Sequence, residues 1–320
     1  MTNKKTFWGF VAFLMLGLAV GYFLEDAVYD NDKPTIIMKQ KESPSQFVNP
    51  TVVSGMDKHF IINFRPLKTQ IQTIQNKYSQ KTYIYFDYLN NASWVGSNER
   101  DLFAAASTDK VPLAMAIMKA VEDKKIKLSD TYSLDDLDIN YNFGELYKSG
   151  ANKVFTIDEL MIIMLEQSDN TASTALFNIL KKIGIQDPLR DIFGAMGWEF
   201  ASEIGTTPTY QDINAKTLSN MFISLYNATY IDLDNSNYIL EHLTRTPFSD
   251  KIVAGIPVDI LASHKIGIAN DKNTFSDCGI VYAPNRNYIL CLGISGTDEK
   301  NANQFMTEIS TATYDYVINN

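Results

Sequence analysis

Between Thr82 and Leu89 the chain reads Thr-Tyr-Ile-Tyr-Phe-Asp-Tyr-Leu, a run of aromatic and β-branched residues that predicts a strand. Asn90-Asn91 predicts a turn and Ala92 to Gly96 a second strand, so a hairpin is expected just after a helical stretch from Pro66 to Lys77. In the middle of the chain the period changes. Thr156, with Glu159 three residues on, has the form of a capping box, and the run Leu160 to Leu165 is apolar on every face, which predicts a buried helix. Beyond Asn170, Ala172, Ala175, Leu176, Ile179 and Leu180 recur at helical spacing, with Gly184 where a C-cap belongs. Strand patterns return at Ile260 to Ile268, Ser276 to Tyr282 and Tyr288 to Ile294, with a turn at Pro284-Asn285-Arg286. A closing helix is predicted over Asn303 to Ile318, through Phe305, Ile309, Ala312 and Tyr316. Strands, helices, strands, helix is the order of an α+β domain with an antiparallel sheet, flanked by helices and carrying a mostly helical subdomain.

The N-terminal part has a different texture. Phe7 to Leu24 is uncharged and mostly apolar; as a helix it would reach about 27 Å, close to the thickness of a hydrocarbon core. Lys4 and Lys5 precede it and Glu25, Asp26 and Asp30 follow, so the positive-inside bias places the long C-terminal part outside the cytoplasm. A cleaved signal peptide is the alternative, and either reading exports the domain. Residues 1–25 are thus expected to be one transmembrane helix and residues 26–55, polar and carrying Pro34, Pro44 and Pro50, a flexible tether. Residues 56–320 form the domain.

Composition narrows the function by exclusion. A formal net charge of −9 leaves no basic excess to neutralise a phosphate backbone, so no nucleic-acid partner is expected. Two cysteines, Cys278 and Cys291, and three scattered histidines, His59, His242 and His264, cannot assemble a zinc site, and no metal or cofactor is expected. The two cysteines fall near one another across the last hairpin; a one-residue register difference decides between a disulfide and two buried thiols. Nothing in the sequence fixes the oligomeric state.

Three short patterns carry chemistry. Ser107-Thr108-Asp109-Lys110 puts a hydroxyl and an amine on one helical face, where a lysine whose ammonium is disfavoured can act as base to the serine. Ala104 to Ala106 lead into it, and Val111, Met115, Met118 and Val121 predict an apolar stripe on the helix that follows, with Pro112 tolerated in its opening turns. Ser168-Asp169-Asn170 lies in the break between the two central helices, where either Asp169 or Asn170 would also serve as a helix cap. Lys-x-Gly occurs at Lys148, Lys182 and Lys265, and only the copy at Lys265 sits on a strand ahead of the terminal hairpin.

In that order Ser107/Lys110, Ser168/Asn170 and Lys265/Gly267 resemble the Ser-x-x-Lys, Ser-Asp-Asn and Lys-Thr-Gly motifs of class A β-lactamases and penicillin-binding proteins, over about Phe60 to Asn320. The resemblance implies a serine hydrolase acting on a β-lactam, or on a D-alanyl-D-alanine peptide of peptidoglycan; a non-catalytic relative is the third reading. It implies Ser107 as nucleophile, Lys110 as its base and Ser168 as proton relay. It further implies Asn170 and Lys265 as substrate contacts, and an oxyanion hole from the amides of Ser107 and Ile268, beside Gly267. Two departures stand out. Ile266 replaces the usual Thr or Ser, and Gly197 to Pro208 lacks the Glu-x-x-x-Asn pattern of the loop that supplies the deacylating glutamate; Glu199 and Glu203 are its only carboxylates. A long-lived acyl-enzyme is the expected result.

Overall fold

The computed structural model describes residues 63–196 and 212–320, together with Phe47. The expected membrane span, the rest of the tether and the Gly197–Pro208 stretch with Glu199 and Glu203 lie outside these residues. Among the described residues no helix is long and apolar enough to cross a membrane.

The frame is an antiparallel sheet in the spatial order β2-β1-β9-β8-β7. Its strands are β1 (Lys81–Tyr88), β2 (Ser93–Ser97), β7 (Ala262–Ala269), β8 (Thr274–Val281) and β9 (Tyr288–Ser295). The predicted hairpin forms, with Tyr88 opposite Ser93 and Phe86 opposite Val95. Strand β1 lies inside the sheet and is buried on both faces, which explains a run of large apolar residues, interrupted by Asp87, in place of alternation. Tyr83 and Tyr85 enter one core, and Ile84, Phe86 and Tyr88 the other.

Helix α1 (Arg65–Gln75) and the closing helix α8 (Glu299–Asn319) cover one face of the sheet. On the other face α6 (Ala215–Tyr226) leads into the helical part, which holds α2 (Lys110–Glu122), α3 (Ile157–Gln167), α4 (Asn170–Lys182), α5 (Pro188–Ala195) and α7 (Leu233–Leu243). Short ladders β3 (Phe103–Ala104) with β6 (Asp212–Ile213), and β4 (Thr131–Ser133) with β5 (Val154–Thr156), complete the fold. The Thr156 capping box is present: its hydroxyl accepts from the Glu159 amide, and the Glu159 carboxylate accepts from the Thr156 amide at 2.7 Å.

Some boundaries differ from expectation. Strand β7 begins at Ala262, because the Ile260 amide is taken by the Pro257 carbonyl in a turn. Helix α8 begins at Glu299, because Asp298 caps it through the Asn301 amide at 2.8 Å. Helix α2 is buried nearly all round, Leu113, Ala114 and Ile117 as well as Val111, Met115 and Met118 of the predicted stripe, with Val121 partly buried, since α3, α4, α5 and α7 surround it. Cys278 and Cys291 are register partners and form a disulfide with Cα atoms 4.0 Å apart. Phe47, within the stretch expected to be a tether, is buried against Tyr282, whose hydroxyl donates to the Phe47 carbonyl at 2.9 Å.

Candidate active site

Ser107 lies on a short 3-10 turn, Ala106–Asp109, that runs straight into α2. Ala106 enters it in the left-handed region at φ 45°, a conformation that costs a non-glycine residue free energy and is kept where the surroundings impose it. Both the Thr108 amide and its hydroxyl donate to the Ala105 carbonyl, at 3.1 and 2.6 Å, and fix the turn. One helical turn on, the buried Lys110 amine is 2.8 Å from Ser107 Oγ, as the three-residue spacing requires. The same amine is 2.7 Å from the Ser168 carbonyl, 3.3 Å from Ser168 Oγ and 2.7 Å from Asn170 Oδ1.

Ser168 closes α3 in the left-handed region at φ 59°, which turns the chain sharply between the two central helices. Asp169 is the helix cap of α4. Its Oδ1 accepts from the Ala172 amide at 3.0 Å, and its Oδ2 accepts from Leu146 at 2.8 Å, tying down the preceding loop. Gly144 passes so close to that carboxylate that a Cβ would lie 2.0 Å from Asp169 Oδ2. With the cap supplied by Asp169, the Asn170 side chain is released to face Lys110.

Strand β7 is the edge of the sheet, and its outer side meets the Ser107 turn. Lys265 and Gly267 project from the same face as Ser276 and Cys278, their partners on β8. The contact at Gly267 is tight: a Cβ there would lie 2.8 Å from the Ala105 carbonyl oxygen and 2.5 Å from Ser276 Oγ. Ile268 lines a cleft of about 280 Å3 with Ser107, Lys110, Asn140, Asn170, Ser173 and Thr174. A larger, shallower groove between α1 and α8 is lined, among the described residues, by the uncharged Pro66, Thr69, Gln70, Thr73, Ile74 and Ala312.

The charges are arranged against their usual states. Burial lowers the Lys110 pKa to about 8, partly offset by Asp109 and Asp169. Burial and then the Lys110 charge bring Lys265 to about 7, and its amine has no hydrogen-bond partner among the described residues; the Phe248 ring centroid is 5.8 Å away. Two lysines are thus held near their point of deprotonation, one touching a serine and the other with no hydrogen-bond partner among the described residues, though Asp109 and Asp277 draw its pKa back up.

The sequence model of the beta-lactamase enzyme family matches residues 66–317. The chain belongs to that family. Among its relatives, Beta-lactamase 3 of Bacillus cereus is 24% identical over 250 residues, covering 75% of this chain and 77% of the relative. The Bacillus subtilis beta-lactamase is 24% identical over 245 residues, covering 72% and 76%. Among solved structures, PBP-A superposes with a TM-score of 0.71 at 20% identity, over 80% of this chain and 97% of that one. A point mutant of PBP-A, equally similar, is an acyl-enzyme complex with penicillin G.

The structure brings the seven residues singled out in the sequence onto two neighbouring elements, the Ser107 turn with its adjoining helices and strand β7. Ser107, Lys110, Ser168 and Asn170 are joined through the Lys110 amine, and Lys265, Gly267 and Ile268 stand along β7. The other two Lys-x-Gly copies stay apart: Lys148 pairs with Glu145 on an exposed turn, and Lys182 lies over the Tyr132 ring at the end of α4. Asp109 was not anticipated. It lines the same cleft, and its signal was an acidic residue inside the Ser-x-x-Lys pattern itself.

Proposed function

We propose that the protein is a membrane-anchored, extracytoplasmic serine hydrolase that opens β-lactam rings by acylation at Ser107 and releases the product slowly. The observation that carries this reading is the Lys110 amine, 2.8 Å from Ser107 Oγ and within reach of Ser168. In its neutral form that amine accepts the Ser107 proton as Oγ bonds to the carbonyl carbon. A pKa of about 8 leaves roughly a tenth of it neutral at pH 7. As the ring C–N bond breaks, the nitrogen takes the Ser168 hydroxyl proton, and Lys110 returns the first proton to Ser168. The amides of Ser107 and Ile268 receive the oxyanion. Asn170 holds the substrate amide, and Lys265, whose amine has no hydrogen-bond partner among the described residues, takes the substrate carboxylate. Slow release follows from the missing glutamate pattern between Gly197 and Pro208 and from Ile266, which offers no hydroxyl to the substrate. The apolar Phe7–Leu24 stretch and its flanking charges support the anchor and the outward orientation.

The same chemistry would cleave a D-alanyl-D-alanine stem peptide, and slow deacylation by water is the property that favours this second reading. Intact-mass spectrometry of the full chain with benzylpenicillin, followed over time, tests both. The expected result is an adduct of one penicillin that decays over many minutes and is absent from Ser107→Ala. Rapid consumption of penicillin with no accumulating adduct would refute slow release. No adduct and no consumption would refute the hydrolase reading.

A further inference from the structure

The acyl-enzyme must be released by water, and the described part of the site raises the question of which group activates it. Lys110 is directed elsewhere, since its amine is shared among Ser107 Oγ, the Ser168 carbonyl and Asn170 Oδ1. Lys265 is a buried cation in the ligand-binding role. Among the described residues that line the cleft, Asp109 alone is a carboxylic acid. It follows Ser107 by two residues on a turn pinned by Thr108, so its backbone is as fixed as that of the nucleophile. Apart from its own backbone amide, no described residue takes up its carboxylate, which leaves lone pairs for a water. Asn170, Ser173 and Thr174 give the same cleft the polar lining a held water requires.

We infer that Asp109 is the general base that delivers water to the acyl group on Ser107. This rests on acylation at Ser107 as proposed above. The water oxygen bonds to the acyl carbon while one of its protons passes to the Asp109 carboxylate. Lys110, left neutral by acylation, then takes the water's proton from Asp109 and passes it to Oγ as the carbon–Oγ bond breaks. Asp109 ends ionised, Lys110 ends as it began, and the product leaves as a free acid that loses its proton to solvent. Asp109 has the proton affinity for this task. Burial raises its pKa to about 6, against the opposing pull of Lys110 from α2 and Lys265 from β7, so it is ionised at pH 7 and still able to accept a proton. Two nearby cations also make it a weaker base, in keeping with slow release.

The test separates the two halves of the reaction, using the full chain and benzylpenicillin with intact-mass detection. Asp109→Asn should still form the Ser107 adduct and should deacylate at least about 100-fold more slowly, the scale of a lost general base. Formate added to Asp109→Ala should restore part of the lost deacylation, which a purely structural role would not allow. In the unchanged chain deacylation should fall about tenfold per pH unit below pH 6, a limb distinct from those of Lys110 and Lys265 at about 8 and 7. This measurement stands even if a variant fails to fold. Deacylation of Asp109→Asn at an unchanged rate, parallel loss of both steps, or a flat profile from pH 5 to 8 would each overturn the inference while leaving acylation at Ser107 intact. No adduct on the unchanged chain would overturn acylation and the inference together.

Discussion

At the scale of single residues the feature that most needs an explanation is Lys265. Its side chain is 1% exposed and its amine has no partner among the described residues, an arrangement that costs free energy however it is protonated. Such a cost persists where a ligand removes it, and a substrate carboxylate would do so. Two measurements follow. The folded pKa, about 7, lies below the unfolded value near 10.5, so the native state binds fewer protons between those limits. Stability from this group is therefore lowest below pH 7 and recovers as pH rises towards 10. Lys265→Met should raise the Tm at pH 6 by roughly 2–8 °C, the effect of about 1–2 kcal/mol, and the gain should narrow as pH rises. Its acylation by benzylpenicillin should fall at least about 30-fold. A less stable variant at pH 6 would show that Lys265 has a partner after all. In the unchanged chain, acylation efficiency requires Lys110 neutral and Lys265 charged. It should therefore peak between pH 7 and 8, with the high-pH limb lost in Lys265→Gln.

At the scale of elements, the site is a meeting of one turn with one strand edge, and Gly267 sets how close they come. A Cβ there would lie only 2.8 Å from the Ala105 carbonyl oxygen, a backbone atom that cannot move without moving Ser107 two residues on. Gly267→Ala should slow acylation at least about tenfold and cost about 1–3 kcal/mol of stability, by pushing β7 off the turn. Unchanged acylation by mass spectrometry would mean the contact is slack. What the sequence disclosed follows the same division between local and distant causes. The Thr156 box, the β1–β2 hairpin and the Ser107–Lys110 spacing are set within a few residues, and they stood in the sequence nearly as they stand in the fold. The near-complete burial of α2 was hidden, because four other helices impose it. The Cys278–Cys291 pairing was undecided for a related reason: only the β8–β9 register brings the two sulfurs to one face. Asp169 and Asn170 were interchangeable as caps until the loop through Gly144 and Leu146 gave Asp169 a second bond. The three Lys-x-Gly copies differ in nothing local; placement on the edge strand singles out Lys265.

At the scale of the whole molecule the sheet divides two hydrophobic cores, one under α1 and α8 and the other continuous with the helices that carry Lys110, Ser168 and Asn170. The second core is closed in part by a residue far from it in sequence. Phe47 packs edge-on to Tyr282 at 5.5 Å, its amide lies 3.4 Å from Asn237 Oδ1, and the Tyr282 hydroxyl both meets Phe47 and contacts Ser263 at the start of β7. Phe47, well before the first described helix in sequence, is therefore tied to the strand that bears Lys265. Burying a phenylalanine side chain is worth about 1.5–3 kcal/mol, and in a domain of this size each kcal/mol shifts the melting point by roughly 2–4 °C. Removal of residues 1–47 should thus lower the Tm by about 3–12 °C relative to removal of residues 1–44, and Phe47→Ala should reproduce most of the loss. Acylation at Ser107 should survive at temperatures well below either transition, because Tyr282 and Ser263 remain bonded to each other at 2.9 Å without Phe47. Equal melting temperatures for the two truncated chains would show that the Phe47 contact adds nothing to the domain's stability.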